Sequence, residues 1–230
     1  MARKEAFIID VINKRIIIKN FDFEWYPGFA ITQKQKSITS LHTSITNDNE
    51  DLRVLEVSTK SKDKLGQNLS AFNLTVINEK KGTNFTVESA FQGSKVFENG
   101  GPYTDLFEKK SSEAKKDIRL KNSGKLIAFQ FFKYRFPLEP KTLFYDWLYL
   151  NTLKSKIELI SEVQYYNVFT DIEFNSKKSI NCQAKSVALF VLLHSCGLQD
   201  LIVADLNVFI EIYNKVEVIN EDFQLNFDMI

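Results

Sequence analysis

Cysteine and histidine are scarce in this chain of 230 residues, which contains two of each. Cys182 and Cys196 lie at the two ends of a predicted helix, about 21 Å apart at about 1.5 Å per residue, which is too far for a disulfide. Together with His42 and His194 they do not form a usual zinc site. The scarcity of histidine also argues against a Ser-His-Asp or Cys-His hydrolase, so we expect neither a metal nor a cofactor.

The chain also lacks a large excess of charge of one sign, because it contains 30 Lys and Arg residues and 29 Asp and Glu residues. A protein that coats nucleic acid through charge alone would be far more basic, so any nucleic-acid contact is expected to be local. The longest apolar run, Val187 to Leu193, is much too short to cross a bilayer, and the N-terminal sequence MARKEAFIID lacks the apolar segment of a signal peptide. We therefore expect a cytoplasmic protein without membrane contact.

Phenylalanine, in contrast, is abundant, with 20 residues. They predict an aromatic-rich core and offer aromatic walls that could stack a base. Alternation over residues 5–24 predicts two strands, Pro140 is expected to open a long helix, and the nearly all-apolar stretch Gln183 to Cys196 predicts a buried central helix. We predict one compact α+β domain, helix-dominated after residue 85, with a β-containing N-terminal extension over residues 1–60 packed on the core.

The segment VESAFQGSK, from Val87 to Lys95, predicts a helix with two neighbouring stripes. One stripe is apolar or small, whereas the other is polar, with Glu88, Gln92 and Lys95 at positions i, i+4 and i+7. The polar stripe has two interpretations. It is either the solvent-exposed face of a surface helix, with Glu88 favoured by the helix dipole, or one wall of a pocket.

Four further segments surround this helix in a fixed order: LSAFNL (69–74), AKKDIRL (114–120), FYDWLY (144–149) and FTDIEFNSKKSINCQAKSVAL (169–189). Together with VESAFQGSK they resemble the NADAR superfamily of N-glycosidases. That pattern has an LSNF-type segment, an E-x-x-[YF]-Q-x-x-K helix, an A-K segment, a helix with tryptophan, and a late acidic segment before an asparagine-bearing helix. The match has two departures, because LSAF replaces LSNF and the WG dipeptide common after the late acidic residue is missing.

Longer strings resemble one branch, the NADAR antitoxins encoded beside DarT-type DNA ADP-ribosyltransferase toxins. These strings are YPGFAITQKQKSITSLH, FQGSKVFENGGPYTDL, LEPKTLFYDWLY and FTDIEFNSKKSINCQAKS, and the resemblance runs from about Trp25 to Leu193. It implies a single NADAR-like domain, with residues 61–230 as its catalytic domain. It also implies an antitoxin enzyme that removes ADP-ribose from guanine bases of single-stranded DNA, with a DarT-type toxin as a further partner.

The resemblance also implies which residues form the site. Carboxylates can stabilise an oxocarbenium-like transition state or activate water, so the catalytic candidates are Glu88 and either Asp171 or Glu173. Lys95 could anchor phosphate or ribose hydroxyls, or attack the anomeric carbon and form a Schiff base. The expected substrate contacts are Ser70, Phe72, Asn73, Gln92, Tyr103, Trp147, Asn181 and Gln183. The expected DNA contacts are Lys34, Lys36, Lys177 and Lys178.

Each of these assignments has a plain alternative. Asp171 and Glu173 would point the same way on an extended chain, but they could equally be a solvated loop pair. Asn181 could be only an N-cap, and Trp147 could belong to the core. The DNA-contact candidates could be ordinary surface lysines.

The function also has alternatives. The chain could be a NADAR glycohydrolase for a free nucleotide-like metabolite, or a non-catalytic antitoxin that binds its toxin through exposed strand edges. The near-neutral charge favours metabolite or protein partners, whereas the long branch-specific strings favour modified DNA.

Overall fold

The structure is a computed structural model that describes residues 1–78, 82–202 and 205–221. Its first elements are the two predicted strands, β1 (Ala2–Asp10) and β2 (Arg15–Phe23), in which β-branched and aromatic residues recur. They pair antiparallel along their whole length. The Asp10 carboxylate accepts hydrogen bonds from the backbone N–H and side chain of Asn13, which stabilises the turn between the two strands.

This hairpin belongs to a five-stranded sheet with the order β10-β2-β1-β9-β3. The other strands of the sheet are β3 (Val54–Glu56), β9 (Val168–Thr170) and β10 (Glu217–Asn220). The N-terminal segment therefore shares a sheet with strands from the second half of the chain, and the boundary at residue 60 stays a prediction. Strands β3 and β9 run parallel, and their last residues, Glu56 and Thr170, lie opposite each other. The C-terminal ends of the two strands are therefore side by side.

Helix α1 (Ile31–Asp48) packs on this sheet through the apolar positions that its sequence predicts. Ile38, Leu41 and Ile45 are buried, and they cluster with Phe21 and Val168. Two smaller sheets contain the remaining strands, which are β4 (Thr75–Asn78) with β5 (Thr83–Thr86), and β6 (Lys95–Phe97) with β7 (Leu126–Phe131) and β8 (Tyr134–Phe136).

The remaining helices surround a core that is rich in aromatic side chains. They are α2 (Lys64–Leu69), α3 (Val87–Gly93), α4 (Ser111–Ala114), α5 (Arg119–Asn122), α6 (Leu143–Lys154), α7 (Ile157–Val163), α8 (Gln183–Ser195) and α9 (Leu206–Lys215). Short 3-10 helices lie at Thr104–Glu108 and Gln199–Ile202. Helices dominate after residue 85, and the predicted α+β class and aromatic core are confirmed. Among the described residues, no helix has the length and apolar character needed to traverse a membrane.

Helix α8 is the buried central helix that the apolar stretch predicts, with Val187, Phe190 and Leu193 among its buried residues. Cys182 and Cys196 flank its two ends as free thiols. Helix α6 contacts α8, but it begins at Leu143 rather than at Pro140.

Helix α3 is shorter than the predicted VESAFQGSK helix. It ends at Gly93, Ser94 caps it, and Lys95 is already the first residue of strand β6. A side chain at position 93 would meet the ring of Phe107 at 2.6 Å, so glycine permits this close approach. The predicted helical placement of Lys95 is therefore wrong, although the other two residues of the polar stripe are on the helix.

Candidate active site

A cavity of about 910 Å³ opens beside α3 and the N-terminal end of α8. Its volume lies within the range of sites that bind small molecules. The charged side chains that line it are Lys95, Lys115, Lys141, Lys177, Lys178, Glu88, Glu139, Asp171 and Glu173. Aromatic and apolar surface comes from Phe72, Phe91, Phe129, Tyr145 and Phe174. The cavity thus combines aromatic walls with charges of both signs.

The polar stripe of α3 forms one wall of this cavity. Thr86 caps the helix by accepting a hydrogen bond from Ser89 N–H at 3.1 Å, which places Glu88 in the first turn. Glu88 is only 6% exposed, and its Oε1 accepts a hydrogen bond from Gln92 Nε2 at 2.9 Å. Gln92 Oε1 in turn accepts from Lys95 Nζ at 2.7 Å. The surface-helix interpretation of the stripe is therefore wrong.

Lys95 reaches this wall from the start of β6, with its Nζ 4.9 Å from the centre of the Phe91 ring. Burial lowers the pKa of Lys95 to about 8, and the positive charge of Lys115 also lowers it, whereas the negative charge of Glu88 opposes the shift. Lys115 Nζ lies 3.7 Å from Glu88 Oε1, and both residues line the cavity. Near neutral pH, Lys95 can consequently serve as a cation and still supply some neutral amine.

Asp171, which directly follows β9, also lines the cavity. It is buried, and its Oδ1 accepts hydrogen bonds from the backbone N–H groups of Glu173 at 3.0 Å and Phe174 at 3.1 Å. Burial raises the pKa of Asp171 to about 6, although these bonds, the charge of Lys4 and a hydrogen bond from the Gln183 side chain act in the opposite direction.

Glu173 has a different environment from Asp171. The chain turns over residues 172–173 instead of continuing the strand, so the two carboxylates do not share the environment that an extended chain would give them. The Glu173 side chain is 43% exposed and forms an ion pair with Lys34 at 3.1 Å. Of the two late acidic candidates, the structure buries Asp171 and leaves Glu173 at the rim.

Gln183, the first residue of α8, connects Asp171 to the LSAF segment. Its Oε1 accepts hydrogen bonds from Ala71 N–H at 2.8 Å and from Ser70 Oγ at 3.3 Å, while its side chain also bonds Asp171. Ser70 thus lies behind the wall of the cavity, where it orients Gln183. Phe72 lines the cavity itself, with Lys115 Nζ 5.3 Å from the centre of its ring.

Asn181 lines the cavity just before α8 and has an unusual side-chain environment. Its Oδ1 is buried and has no hydrogen-bond partner within the protein. The N-cap of α8 is Cys182, without a side-chain cap bond, so the N-cap interpretation of Asn181 is wrong. A buried acceptor without a protein donor is available to accept a hydrogen bond from water or from a ligand in the cavity.

The structure does not bring Asn73, Tyr103 or Trp147 to the cavity. Asn73 is exposed and donates to the carbonyl of Gln67. Tyr103 hydrogen-bonds the Ser123 hydroxyl. Trp147 packs on the core rings of Phe131 and Phe136 and on the ring of Tyr134. Its position on α6 follows apolar helical spacing, which agrees with the core alternative.

The lysines predicted to contact DNA divide into two groups. Lys177 and Lys178 are exposed and line the cavity, and Lys34 reaches its rim through the ion pair with Glu173. Lys36 does not line this cavity but a separate one, which Lys62 also lines.

Sequence reasoning missed several residues of the cavity, above all Lys115, Lys141 and Tyr145. Lys115 belongs to the A-K segment of the motif set, which is the signal that could have identified it. Burial and the negative charge of Glu88 raise the pKa of Tyr145 well above its usual value, so Tyr145 remains a neutral phenol. Within the described part of the chain, no group of three or more His, Cys, Asp or Glu side chains is placed to hold a metal ion.

Comparison with known proteins assigns the chain to a family. The family model of DarT1-associated NADAR antitoxins matches residues 2–223, which include the N-terminal strands and all the lining residues of the cavity. A search among curated proteins gave no match. The match covers nearly the whole sequence, and it agrees with the motifs that form the cavity walls. The chain therefore belongs to the DarT1-associated NADAR antitoxins.

Proposed function

We propose that this antitoxin is an enzyme that hydrolyses the N-glycosidic bond between ADP-ribose and guanine in DNA, and thereby reverses the modification made by a DarT1 toxin. The antitoxin role follows from the family. The observation that supports the chemistry is that two buried carboxylates, Glu88 and Asp171, line the same cavity as the partly neutral amine of Lys95. Perturbed titratable groups that converge in a cavity are typical of catalytic sites.

The reaction needs negative charge near the ribose. When the bond from the anomeric carbon to the guanine nitrogen breaks, its electron pair leaves with guanine and positive charge develops on the ribose. Glu88 and Asp171 stabilise that charge, because fixed carboxylates act strongly where water is excluded. Water then adds its oxygen to the anomeric carbon and gives one proton to a carboxylate, and guanine takes up a proton.

Lys95 has two possible parts in this scheme. As a cation it holds a phosphate or the ribose hydroxyls. As a neutral amine it attacks the anomeric carbon, displaces guanine and forms a Schiff base with the opened ribose, which water then hydrolyses. Its lowered pKa of about 8 is compatible with both roles.

The remaining lining residues suit an ADP-ribosyl group. Lys177, Lys178 and the N-terminal end of α8 offer positive charge to a diphosphate. The face of Phe72 suits a base. The unpartnered Oδ1 of Asn181 accepts a hydrogen bond from a substrate donor.

Release of free ADP-ribose is the first expected result. The purified protein should release ADP-ribose from a single-stranded oligonucleotide that carries the modification on guanine, and a chelator should leave the rate unchanged. Chromatography with mass detection measures the product. A requirement for zinc or magnesium would contradict the expectation that the reaction needs no metal. If no ADP-ribose were released, the proposed enzymatic activity would be wrong.

We also expect the site to prefer guanine over thymine. Guanine carries an amino donor that thymine lacks, and Asn181 Oδ1 needs a donor. A buried polar group left unpaired costs about 1–3 kcal/mol, which corresponds to about 5- to 150-fold in rate. Parallel assays on oligonucleotides modified at guanine or thymine, matched in sequence, measure the preference. Equal rates on both would remove guanine from the proposal.

The alternative of a free nucleotide-like substrate is tested in the same assay. The cavity has a small-molecule volume and the chain a formal charge of +1, which favour such a substrate over a long DNA contact. ADP-ribosylated guanosine, offered as a free nucleoside, is the comparison substrate. If it were hydrolysed with a higher kcat/KM than the modified oligonucleotide, the free metabolite would be the better assignment.

A further inference from the structure

Glu56 is a buried carboxylate that lies behind the candidate active site and does not line its cavity. It is the last residue of β3, opposite Thr170 of β9, and it is 1% exposed. On its other side Glu56 borders a second cavity of about 410 Å³, which His42 and Lys62 also line. The backbone register therefore places Glu56 beside the residue that precedes Asp171.

The hydrogen bonds of Glu56 hold both neighbours of Asp171 in the chain. Glu56 Oε1 accepts from the backbone N–H of Ile172 at 2.8 Å and from Ser58 Oγ at 2.6 Å. Glu56 Oε2 accepts from Thr170 Oγ1 at 2.7 Å. Thr170 immediately precedes Asp171 and Ile172 immediately follows it, so Glu56 fixes the point where the strand ends and the turn begins.

We propose that Glu56 is a positioning residue for Asp171, which holds the turn after β9 and adds a second negative charge behind Asp171 when it ionises. The inference rests on the proposed function, in which Asp171 stabilises positive charge on the ribose. Asp171 remains the group that faces the substrate, whereas Glu56 acts through it.

The charges of the two carboxylates depend on each other. Burial, and then the negative charge of Asp171, raise the pKa of Glu56 to about 7, whereas that of Asp171 is about 6. Two interacting buried acids lose their protons in two steps that belong to the pair. The pair thus gains its two negative charges in two steps, and the charge on Asp171 delays the second of them to higher pH.

The other titratable groups around the pair do not replace this behaviour. Burial, and then the charge of Asp171, raise the pKa of Tyr149 and of Cys182 well above their usual values, so both remain neutral. Burial, and then the charge of Lys62, lower the pKa of His42 to about 4, so His42 is neutral in this range. Lys4 donates hydrogen bonds to the carbonyls of Ile172 and Phe174, and its positive charge favours ionised Asp171. Asp63 and Lys62 line the second cavity with opposite charges.

A hydrogen-bonded path connects Glu56 to the second cavity. His42 Nε2 lies 3.0 Å from Thr170 Oγ1, and because that hydroxyl donates to Glu56, it accepts from the N–H of the neutral imidazole. Since His42 and Glu56 both line the second cavity, this path borders a space that is separate from the first cavity.

Glu56→Gln tests the charge without removing the anchor. The amide oxygen can keep the bonds from Ile172 and Ser58, and the amide nitrogen can donate to Thr170 Oγ1. We expect wild-type kcat/KM, which follows the ionisations of the free enzyme, to rise with pH in two steps as Asp171 and then Glu56 ionise, since each ionisation adds negative charge near the ribose. The variant should keep only the first rise. A variant profile that matches wild type would overturn the proposal.

Two further variants separate positioning from general stability. Glu56→Ala removes all three hydrogen bonds, so kcat at pH 6.5 should fall by about tenfold or more while KM stays within about twofold. Glu50→Gln, at an exposed acid in the loop before β3, is the matched control and should behave as wild type. Thermal melting accompanies each measurement, and if Glu56→Ala does not fold, the pH profile of Glu56→Gln decides.

An NMR titration tests the pair even if the enzymatic proposal fails. With ¹³C-labelled carboxyl groups and no substrate, the Glu56 resonance should titrate near pH 7, and Asp171→Asn should lower that midpoint. A Glu56 midpoint near its usual value of 4.5 overturns the inference. Absence of ADP-ribose release with a midpoint near 7 overturns the proposed function and the positioning role that depends on it, but leaves the coupled pair itself established.

Discussion

Replacing Glu88 by glutamine should lower the turnover of ADP-ribosylated DNA by about 10²–10³-fold and leave the melting temperature near wild type. Glutamine keeps the shape of the side chain and can still accept the hydrogen bond from Gln92 Nε2. The change removes only the negative charge, which the proposed mechanism uses in the transition state. Since Lys115 is more than half exposed, loss of its contact at 3.7 Å should affect stability little.

The matched control for this variant is Glu113→Gln. Glu113 also occupies the first turn of a helix, α4, but it is exposed and lies outside the cavity. Its replacement should lose at most about 0.3–1 kcal/mol of interaction with the helix dipole, and turnover should not change. Steady-state kinetics with calorimetry compares the two. A Glu88→Gln enzyme that turns over at the wild-type rate would show that the carboxylate has no chemical role.

The sequence predicted the polar wall of the cavity better than it predicted the backbone that builds it. Glu88, Gln92 and Lys95 lie together, as the spacing indicated, but helix α3 ends at Gly93. Lys95 remains close because the chain enters β6 directly after the Ser94 cap, and its long side chain reaches back to Gln92. Periodicity alone could not distinguish these two paths, because a helix end of this kind depends on tertiary contacts such as Phe107 against Gly93.

The environments of the late acidic residues could not be predicted from spacing. Asp171 and Glu173 differ because a turn begins after β9. In that turn, Ile172 donates a hydrogen bond to Glu56 and accepts one from Lys4. No sequence pattern indicated the role of Glu56, because its contact with Thr170 depends on the pairing of β3 with β9, which joins residues 114 positions apart. Trp147 illustrates the opposite case, because its apolar helical spacing already favoured the core, where the structure places it.

Lys95→Ala should also have a large effect, with kcat/KM reduced by at least about 10²-fold, because it removes either the nucleophile or the group that holds the substrate. The values of KM and kcat distinguish the two roles. Loss of an anchor raises KM and leaves part of kcat, whereas loss of a nucleophile abolishes kcat with KM nearly unchanged. Lys116→Ala, an exposed lysine in the same A-K segment that does not line the cavity, is the control and should retain wild-type turnover.

Lys95→Arg decides between the roles independently. Arginine keeps the positive charge at all relevant pH values but cannot form a Schiff base, so it should rescue an anchor and fail to rescue a nucleophile. For a nucleophile, wild-type kcat/KM should also rise with pH through about 8, as neutral amine forms, whereas for an anchor it should fall above about 8. Borohydride added during turnover should trap a covalent adduct on Lys95, detectable by peptide mass spectrometry, only in the nucleophilic case. Wild-type kinetics in both Lys95→Ala and Lys95→Arg would remove this lysine from the mechanism.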